Sequence, residues 1–325
     1  MNLLETLTAL EISQPTVITV GTFDGVHRGH QQVLAEAREH ARARGGLAVA
    51  ITFQPRPAEV LRPGLPPSYL CSLEQRTAYL RAAGADHVIV VRFTPEIARV
   101  SALEFVTTLV ERLHMRELVG GPDMALGHRR EGTPEVLRRL GDQLGFTLTI
   151  VPPLVLGGLP VRSSVVHELI LSGDVRRAAE LLGRYHAVEG EVVRGDGRGR
   201  TLGFPTANIA TPPWIVLPSD GIYATYVTVD GNRLPGAASI GFRPTFNGSE
   251  RRLEVYLLDF DGDLYGKRCS IEFVAFLRPE LRFGSISDLV AQMRQDVLQV
   301  RDILARDWPA GHGGETSHRA CTNTD

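Results

Sequence analysis

The length, composition and charge of the chain set the first limits on its function. At 325 residues it is long for one hydrophobic core, so we expect two domains. A formal net charge of −2 gives no electrostatic footprint for nucleic acid, and no apolar run approaches the ~20 residues of a membrane span. The three cysteines have no CxxC spacing, which argues against a zinc site or a disulfide framework. Residues 1–14 lack the basic start of a signal peptide, so we expect a reducing, cytoplasmic compartment.

The first half of the chain alternates short apolar strands with helical patterns. This alternation predicts βαβ units in an α/β, doubly wound parallel sheet, whose ligands bind at the carboxyl ends of the strands. Helices are expected to begin near Ser72, Ala102 and Thr133 and to occupy most of Ser164–Leu182. The predicted strands are 17–20, 48–53, 87–91, 117–120 and 148–151.

The segment GTFDGVHRGH, residues 21–30, directly follows the first predicted strand. Its glycines permit a tight turn and a close approach to a ligand. If a helix opens at Val26, then His27 and His30 share one face near the positive end of the helix dipole, where backbone N–H groups favour phosphate. The segment lacks a Walker lysine and GxGxxG, and it fits nucleotidyl transfer, in which an acceptor oxygen attacks the α-phosphate of ATP. A surface turn with two incidental histidines is the alternative.

Beyond Tyr185 the pattern changes to short alternating runs separated by Gly, Pro, Asn and Asp. Regular short strands of this kind predict a small antiparallel barrel, which an amphipathic helix at 286–305 closes. The predicted strands are 186–193, 222–229, 237–240, 253–260 and 269–277. We therefore divide the chain into a domain at 1–183, a domain at 184–310 and a disordered tail at 311–325.

The segment GRGRTLGFPTAN, residues 197–208, is a second candidate site. Its three glycines permit a flexible loop, and Arg198 and Arg200 can contact phosphate. Thr206 and Asn208 offer hard oxygen atoms to Mg²⁺ or phosphate. A solvated basic turn before a strand is the alternative.

Both segments resemble the signatures of a known family. GxFDGxHxGH resembles the signature of the FMN adenylyltransferase half of bacterial bifunctional riboflavin kinase/FAD synthetases, and RTLGFPTAN resembles the signature of their riboflavin kinase half. Further similar stretches are GIYA from Gly221, SIGFRPTF from Ser239, LEVYLLDFDGDLYGK from Leu253 and FLRPELRF from Phe276. The resemblance spans nearly the whole chain.

The resemblance implies a Rossmann-like HxGH nucleotidyltransferase sheet joined to a riboflavin kinase barrel. It implies that riboflavin and ATP give FMN, and that FMN and ATP then give FAD and pyrophosphate, with Mg²⁺ at both sites. Glu254 is then the base that takes the proton of the ribityl 5′-hydroxyl, while His27 and His30 stabilise the α-phosphate. The resemblance also implies that Thr206 and Asn208 hold Mg²⁺ and that Asp123, Arg278 and Phe283 contact the flavin. The implied ATP and phosphate contacts are Gly21, Phe23, Gly29, Ser163, Ser164, His167, Gly199, Arg200, Thr206 and Asn208.

Five residues of the first half depart from the family pattern. TFEPHP or TFDPHP is replaced by TFQPRP, with Gln54 and Arg56, and Met124 stands for a phenylalanine in GPDMALG. SSTxIR aligns with RSSVVH, so that His167 stands where a phosphate-binding arginine is expected and Arg162 is a candidate to replace part of its charge. Three functions stay open: the bifunctional enzyme, a riboflavin kinase whose first half turns over poorly, and a non-catalytic flavin- or nucleotide-binding regulatory module.

Overall fold

A computed structural model describes residues 12–64, 66–195, 197–245 and 248–307 of the chain. The tail predicted at 311–325 lies outside these residues. Two bodies of secondary structure follow each other along the chain, an α/β sheet and a β-barrel.

The first body is a five-stranded parallel sheet in the order β3-β2-β1-β4-β5. Its strands are β1 (Thr16–Val20), β2 (Leu47–Phe53), β3 (His87–Val91), β4 (Met115–Gly120) and β5 (Thr147–Ile150). The central strands are almost wholly buried because helices cover both faces, which is why they read as continuous apolar runs. The predicted doubly wound parallel sheet is confirmed.

Several helices of this body begin at a residue whose side chain caps the first turn. The Ser72 hydroxyl accepts the N–H of Gln75 at 3.1 Å, and the Gln75 side chain accepts the N–H of Ser72 at 3.0 Å, a reciprocal cap. The helices are α1 (Arg28–Ala43), α2 (Pro57–Leu61), α3 (Leu73–Ala82), α4 (Ala102–Leu113), α5 (Pro134–Leu144), α6 (Ser163–Leu171) and α7 (Val175–Leu182); a hairpin of β6 (Val155–Leu156) and β7 (Leu159–Pro160) precedes α6.

The second body is a closed antiparallel barrel in the order β10-β11-β12-β9-β8-β13. Its strands are β8 (His186–Val193), β9 (Thr206–Ala210), β10 (Gly221–Val229), β11 (Asn232–Thr245), β12 (Gly248–Leu257) and β13 (Arg268–Arg278), with α8 (Arg198–Thr201) and the closing α9 (Ile286–Asp307). The barrel and the closing helix were predicted. Strand β9 was not among the predicted strands because its sequence lies inside the loop signature, yet it is needed to close the barrel.

The two bodies share an interface built from backbone as well as side chains. The Tyr69 N–H donates to the Trp214 carbonyl at 2.8 Å, and the Val216 N–H donates to the Tyr69 carbonyl at 2.9 Å. Tyr69, and Val175 at the start of α7, pack into the core of the barrel. The interface therefore brings segments from before residue 183 into contact with the second body.

Candidate active sites

The HxGH turn lies at the carboxyl end of β1, where the sequence placed it. A helix opening at Val26 was wrong: Gly25 and Val26 have φ values of 75° and 39°, so a 3₁₀ turn at Asp24–Val26 precedes α1. His27 is the N-cap of α1, and its Nδ1 accepts the N–H of His30 at 3.3 Å. The two imidazole rings are stacked with centroids 3.6 Å apart. The rings therefore meet through a capping bond rather than through a shared helix face.

Small residues allow this stacking. A Cβ at Gly29 would lie 3.2 Å from His27 Nδ1 and 3.3 Å from the Val161 carbonyl, which leaves little room for a side chain. The Phe23 ring covers Gly21 and meets the His30 ring edge to face at 5.1 Å. Gly21, Phe23 and Gly29 thus shape the turn around the two histidines.

Burial keeps both histidines uncharged. It lowers the pKa of His27 to about 4, and burial together with His27 and Arg184 holds the pKa of His30 well below its usual value. Because His27 Nδ1 accepts a hydrogen bond, the proton of this neutral ring lies on Nε2. His30 Nδ1 is buried without a hydrogen-bond partner among the described residues. The turn can therefore offer neutral N–H donors to a phosphate.

Arg184, which was not among the predicted site residues, holds the turn by hydrogen bonds from the junction between the two bodies. Its guanidinium donates to the carbonyls of Gly25 and Val26 and stacks 3.6 Å from the Tyr79 ring centroid. No motif includes this arginine, and its only signal in the sequence is its place beside the change of pattern at Tyr185.

Asp24 connects the turn to three other segments. Its carboxylate accepts the Leu70 N–H at 2.9 Å, Arg56 Nη1 at 3.1 Å and His167 Nε2 at 3.0 Å. The Ser163 hydroxyl donates to the Asp24 carbonyl at 2.8 Å. The Asp24 carboxylate is almost fully buried, and no role was predicted for it. His167 thus has one ring nitrogen on Asp24, and its phosphate contact stays a prediction.

The other predicted or divergent residues of this half make no described hydrogen bond to the HxGH turn. Ser164 and Arg162 are exposed around the start of α6, and no described contact engages the Arg162 side chain. Asp123 is exposed on the loop after β4, and Met124 packs on Gly120. Gln54 Nε2 donates to the Tyr69 hydroxyl at 3.3 Å.

The second candidate site is a cavity of about 280 Å³ at one end of the barrel. The Thr206 hydroxyl donates to Glu254 Oε2 at 3.1 Å, and the strand register places Glu254 directly opposite Asn208. The residues that line this cavity are mostly polar or glycine: Gly197, Gly199, Thr206, Asn208, Ser239, Gly241, Phe242, Arg252, Glu254 and Glu280. Both candidate segments of the barrel, PTAN and LEVY, therefore meet at one cavity.

The oxygen atoms of this cavity fit a hard cation. Asn208 Oδ1 is buried without a hydrogen-bond partner among the described residues, and a Cβ at Gly195 would collide with the Asn208 amide, so the loop closes tightly over this side chain. Thr206 and Glu254 add a hydroxyl and a carboxylate. The described ranges hold no cluster of three or more His, Cys, Asp or Glu suited to a metal, so a cation here would take most of its ligands from neutral oxygens and from a substrate.

Two of the three residues that the resemblance assigns to flavin, Arg278 and Phe283, lie at the end of β13 or between it and the closing helix. Arg278 forms a two-pronged ion pair with Asp296 of α9, at 2.8 and 2.6 Å, and so ties β13 to this helix. Phe283 is half-buried between β13 and α9, and Arg200 is exposed on α8. Phe242 was not among the predicted site residues, yet it lines the cavity, with 59% of its surface exposed. Its ring is available to cover a flat apolar ligand.

A parallel sheet with an HxGH turn, joined to a closed barrel with an oxygen-lined cavity, fits a transferase with two separate sites. The family model for FAD synthetase matches residues 9–165, and the one for riboflavin kinase matches residues 182–304. The chain is 38% identical to the bifunctional riboflavin kinase/FMN adenylyltransferase of Escherichia coli over 296 residues, 90% of this chain and 94% of the relative. The Listeria monocytogenes relative is 36% identical over 294 residues, 89% and 93% of the two chains. The chain belongs to the family of bifunctional riboflavin kinase/FMN adenylyltransferases.

A solved structure has the same two-body architecture. The crystal structure titled as a macrolide-efflux protein from Streptococcus pneumoniae superposes with a TM-score of 0.86 at 30% identity, covering 91% of this chain and 97% of that one. In the part of the present chain that the structure describes, every helix is too short or too polar to cross a membrane.

Proposed function

We propose that this chain converts riboflavin to FMN and FMN to FAD, one reaction at each site, with ATP as the second substrate of both. The observation that carries this proposal is the presence in one chain of the stacked HxGH histidines and the Thr206–Glu254–Asn208 cavity. Both reactions consume ATP, which supports a cytoplasmic location. FMN and FAD are products rather than resident cofactors.

In the barrel, Glu254 acts as the general base of the kinase. Because Thr206 donates to Oε2, the carboxylate is held in one orientation and Oε1 takes the proton of the ribityl 5′-hydroxyl. Thr206 and Asn208 are proposed to hold Mg²⁺, which when bound neutralises charge on the phosphates of ATP. The glycine loop at Gly197 and Gly199 lets the backbone approach those phosphates.

In the sheet, the enzyme supplies no nucleophile of its own. A phosphate oxygen of FMN attacks the α-phosphate of ATP, and pyrophosphate leaves. His27 donates its Nε2–H, and the adjacent His30 ring adds a second polar edge, where negative charge accumulates in the transition state. Gly21, Phe23, Ser163, Ser164 and His167 are proposed to surround the phosphates, and Asp123 the flavin.

A single incubation tests this function against its alternatives. The purified chain is mixed with riboflavin, ATP and Mg²⁺, and FMN and FAD are resolved chromatographically over time. We expect FMN first and then FAD. Accumulation of FMN alone would support a kinase whose first half is poorly active, and neither product would support a non-catalytic binding module.

A further inference from the structure

Two basic side chains reach the same buried oxygen in the HxGH turn. Arg56 Nη1 lies 3.1 Å and His167 Nε2 lies 3.0 Å from Asp24 Oδ2. The Asp24 side chain is only 3% exposed, while the Arg56 and His167 side chains are 17% and 18% exposed. A buried carboxylate without a charged partner is costly, so at least one of these two side chains has to balance it.

Arg56 is held on Asp24 by more than this one bond. Its Nε donates to Glu59 Oε1 at 2.9 Å, and its guanidinium lies 4.2 Å from the centroid of the Tyr69 ring. The Tyr69 hydroxyl accepts the backbone N–H of Arg56 at 3.3 Å. Guanidinium keeps its charge at every physiological pH, whereas imidazole does not. Arg56 is therefore the permanent positive charge among these groups.

The charge balance matters because of where Asp24 lies. It is three residues before His27, at the carboxyl end of β1, and Arg56 follows the end of the neighbouring strand β2. Without Arg56, the carboxylates of Asp24 and Glu59 would lose their permanently charged partner beside the place where a triphosphate binds, and Asp24 would keep only the His167 imidazole. Carboxylates that lack such a partner repel the substrate and also weaken the anchoring of the turn.

We propose that Arg56 is a positioning residue for FMN adenylylation, which balances Asp24 inside the HxGH turn, and that one arginine at either position 56 or position 167 is sufficient for this task. The departures from the family pattern at these two positions then compensate each other. This inference rests on the proposed adenylyltransferase activity of the first half. It assigns no contact between Arg56 and the substrate.

A double-mutant cycle tests the proposal in the full-length chain at pH 8. The variants are R56H, H167R and R56H/H167R, and R62Q is a control at an exposed arginine six residues further on. R56H leaves only histidines on Asp24, so kcat/KM for ATP in FAD formation should fall about 10- to 100-fold, mainly through KM. R56H/H167R should recover most of this loss, because it again places one arginine on Asp24, and H167R, which places two arginines there, completes the cycle.

FMN formation is measured on the same samples and should stay unchanged in all four variants. Provided that the wild type forms FAD, either of two results would overturn the proposal. The first is an R56H variant that forms FAD at the wild-type rate, and the second is a double variant that forms FAD no faster than R56H. If R56H does not fold, a double variant that folds and forms FAD would support the exchange of arginine between positions 56 and 167. A double variant that also fails to fold would refute it. A wild-type chain that makes FMN without FAD would refute both the compensation and the bifunctional function.

Discussion

At the scale of single residues, burial makes His27 and His30 neutral donors rather than cations. Their stacking 3.6 Å apart would be unfavourable for two imidazolium ions, which agrees with the lowered pKa values. A neutral donor costs less to bury than a cation, and it still offers an N–H to an oxyanion. Uncharged His27 and His30 rings are therefore compatible with the proposed stabilisation of the α-phosphate.

Replacing either histidine should separate the two activities. His27→Ala removes the proposed Nε2–H donor and the cap of α1, and His30→Ala removes the second ring, so FAD formation should fall at least about 100-fold. FMN formation should remain, because the kinase cavity lies in the barrel. Both rates are measured on each variant. FAD formation within threefold of the wild type would contradict the assigned role, and equal loss of both activities would point to misfolding.

Glu254→Gln tests the base of the kinase. The amide keeps the shape of the side chain and a partner for Thr206, but it cannot accept the hydroxyl proton, so kcat for FMN formation should fall by ~10²–10⁴. Riboflavin affinity, measured by fluorescence titration, should change little. Glu191→Gln, at an exposed position of β8, is the matched control. A Glu254→Gln variant that keeps most of its rate would show that another group takes the proton.

The sequence predicted the residues of each site that lie within one motif. His27 and His30, or Thr206 and Asn208, are neighbours in the chain, so local spacing is enough to group them. The partners of Asp24 lie 32, 46 and 143 residues away, and only the folded sheet brings them together. No periodicity in the sequence encodes such contacts, so the role of Asp24 could not be predicted.

At the scale of elements, hydrophobic periodicity located most strands and helices to within a few residues. Strands β3 and β8 have the predicted bounds, since each is a regular apolar run between polar turns. β12 begins earlier and ends earlier than predicted, at Gly248 and Leu257. The division of the chain near residue 183 was based on the same change of pattern and stays a prediction.

Helix α7 gives that division a sharper test. It precedes residue 183 in the chain, yet Val175 is buried in the core of the barrel. Two fragments, Gly173–Asp307 and Leu181–Asp307, should both make FMN without FAD, but the shorter one loses Val175 and about 2 kcal/mol of stability. Its thermal midpoint should be lower by about 5–10 °C. Equal midpoints would show that α7 belongs to the sheet alone, and two insoluble fragments would contradict independent domains.

At the scale of the whole molecule, one segment joins the HxGH turn to the barrel. Leu70 donates its N–H to Asp24 in the HxGH turn, and the adjacent Tyr69 pairs with Trp214 and Val216 beside the barrel. Arg184 contacts the same turn from the junction. The sheet and the barrel are therefore connected by hydrogen bonds that end at the turn, and disruption of the interface should be felt at the adenylyltransferase site first.

His186 makes this interface sensitive to acid. Its ring is buried at the start of β8, with Nε2 2.9 Å from the Val216 carbonyl, and burial lowers its pKa to about 4. The unfolded chain binds the proton near pH 6.5 and the folded chain only near pH 4, so the folded state is favoured above pH 6.5. This contribution is lost as the pH falls from 6.5 to 4 and amounts to about 3 kcal/mol.

His186→Gln should remove that part of the acid sensitivity, because an amide can still donate to Val216 and does not titrate. The unfolding free energy of the transition that includes the barrel is measured by urea denaturation at pH 7.5 and pH 4 for both proteins. The variant is expected to be less stable at pH 7.5, since it loses the stacking of His186 on Phe273, but to lose about 3 kcal/mol less than the wild type on acidification. All other titrating groups are common to both proteins, so the difference between the two losses isolates His186. Equal losses would mean that folding leaves the pKa of His186 unchanged, and that the interface does not depend on the neutral form of this ring.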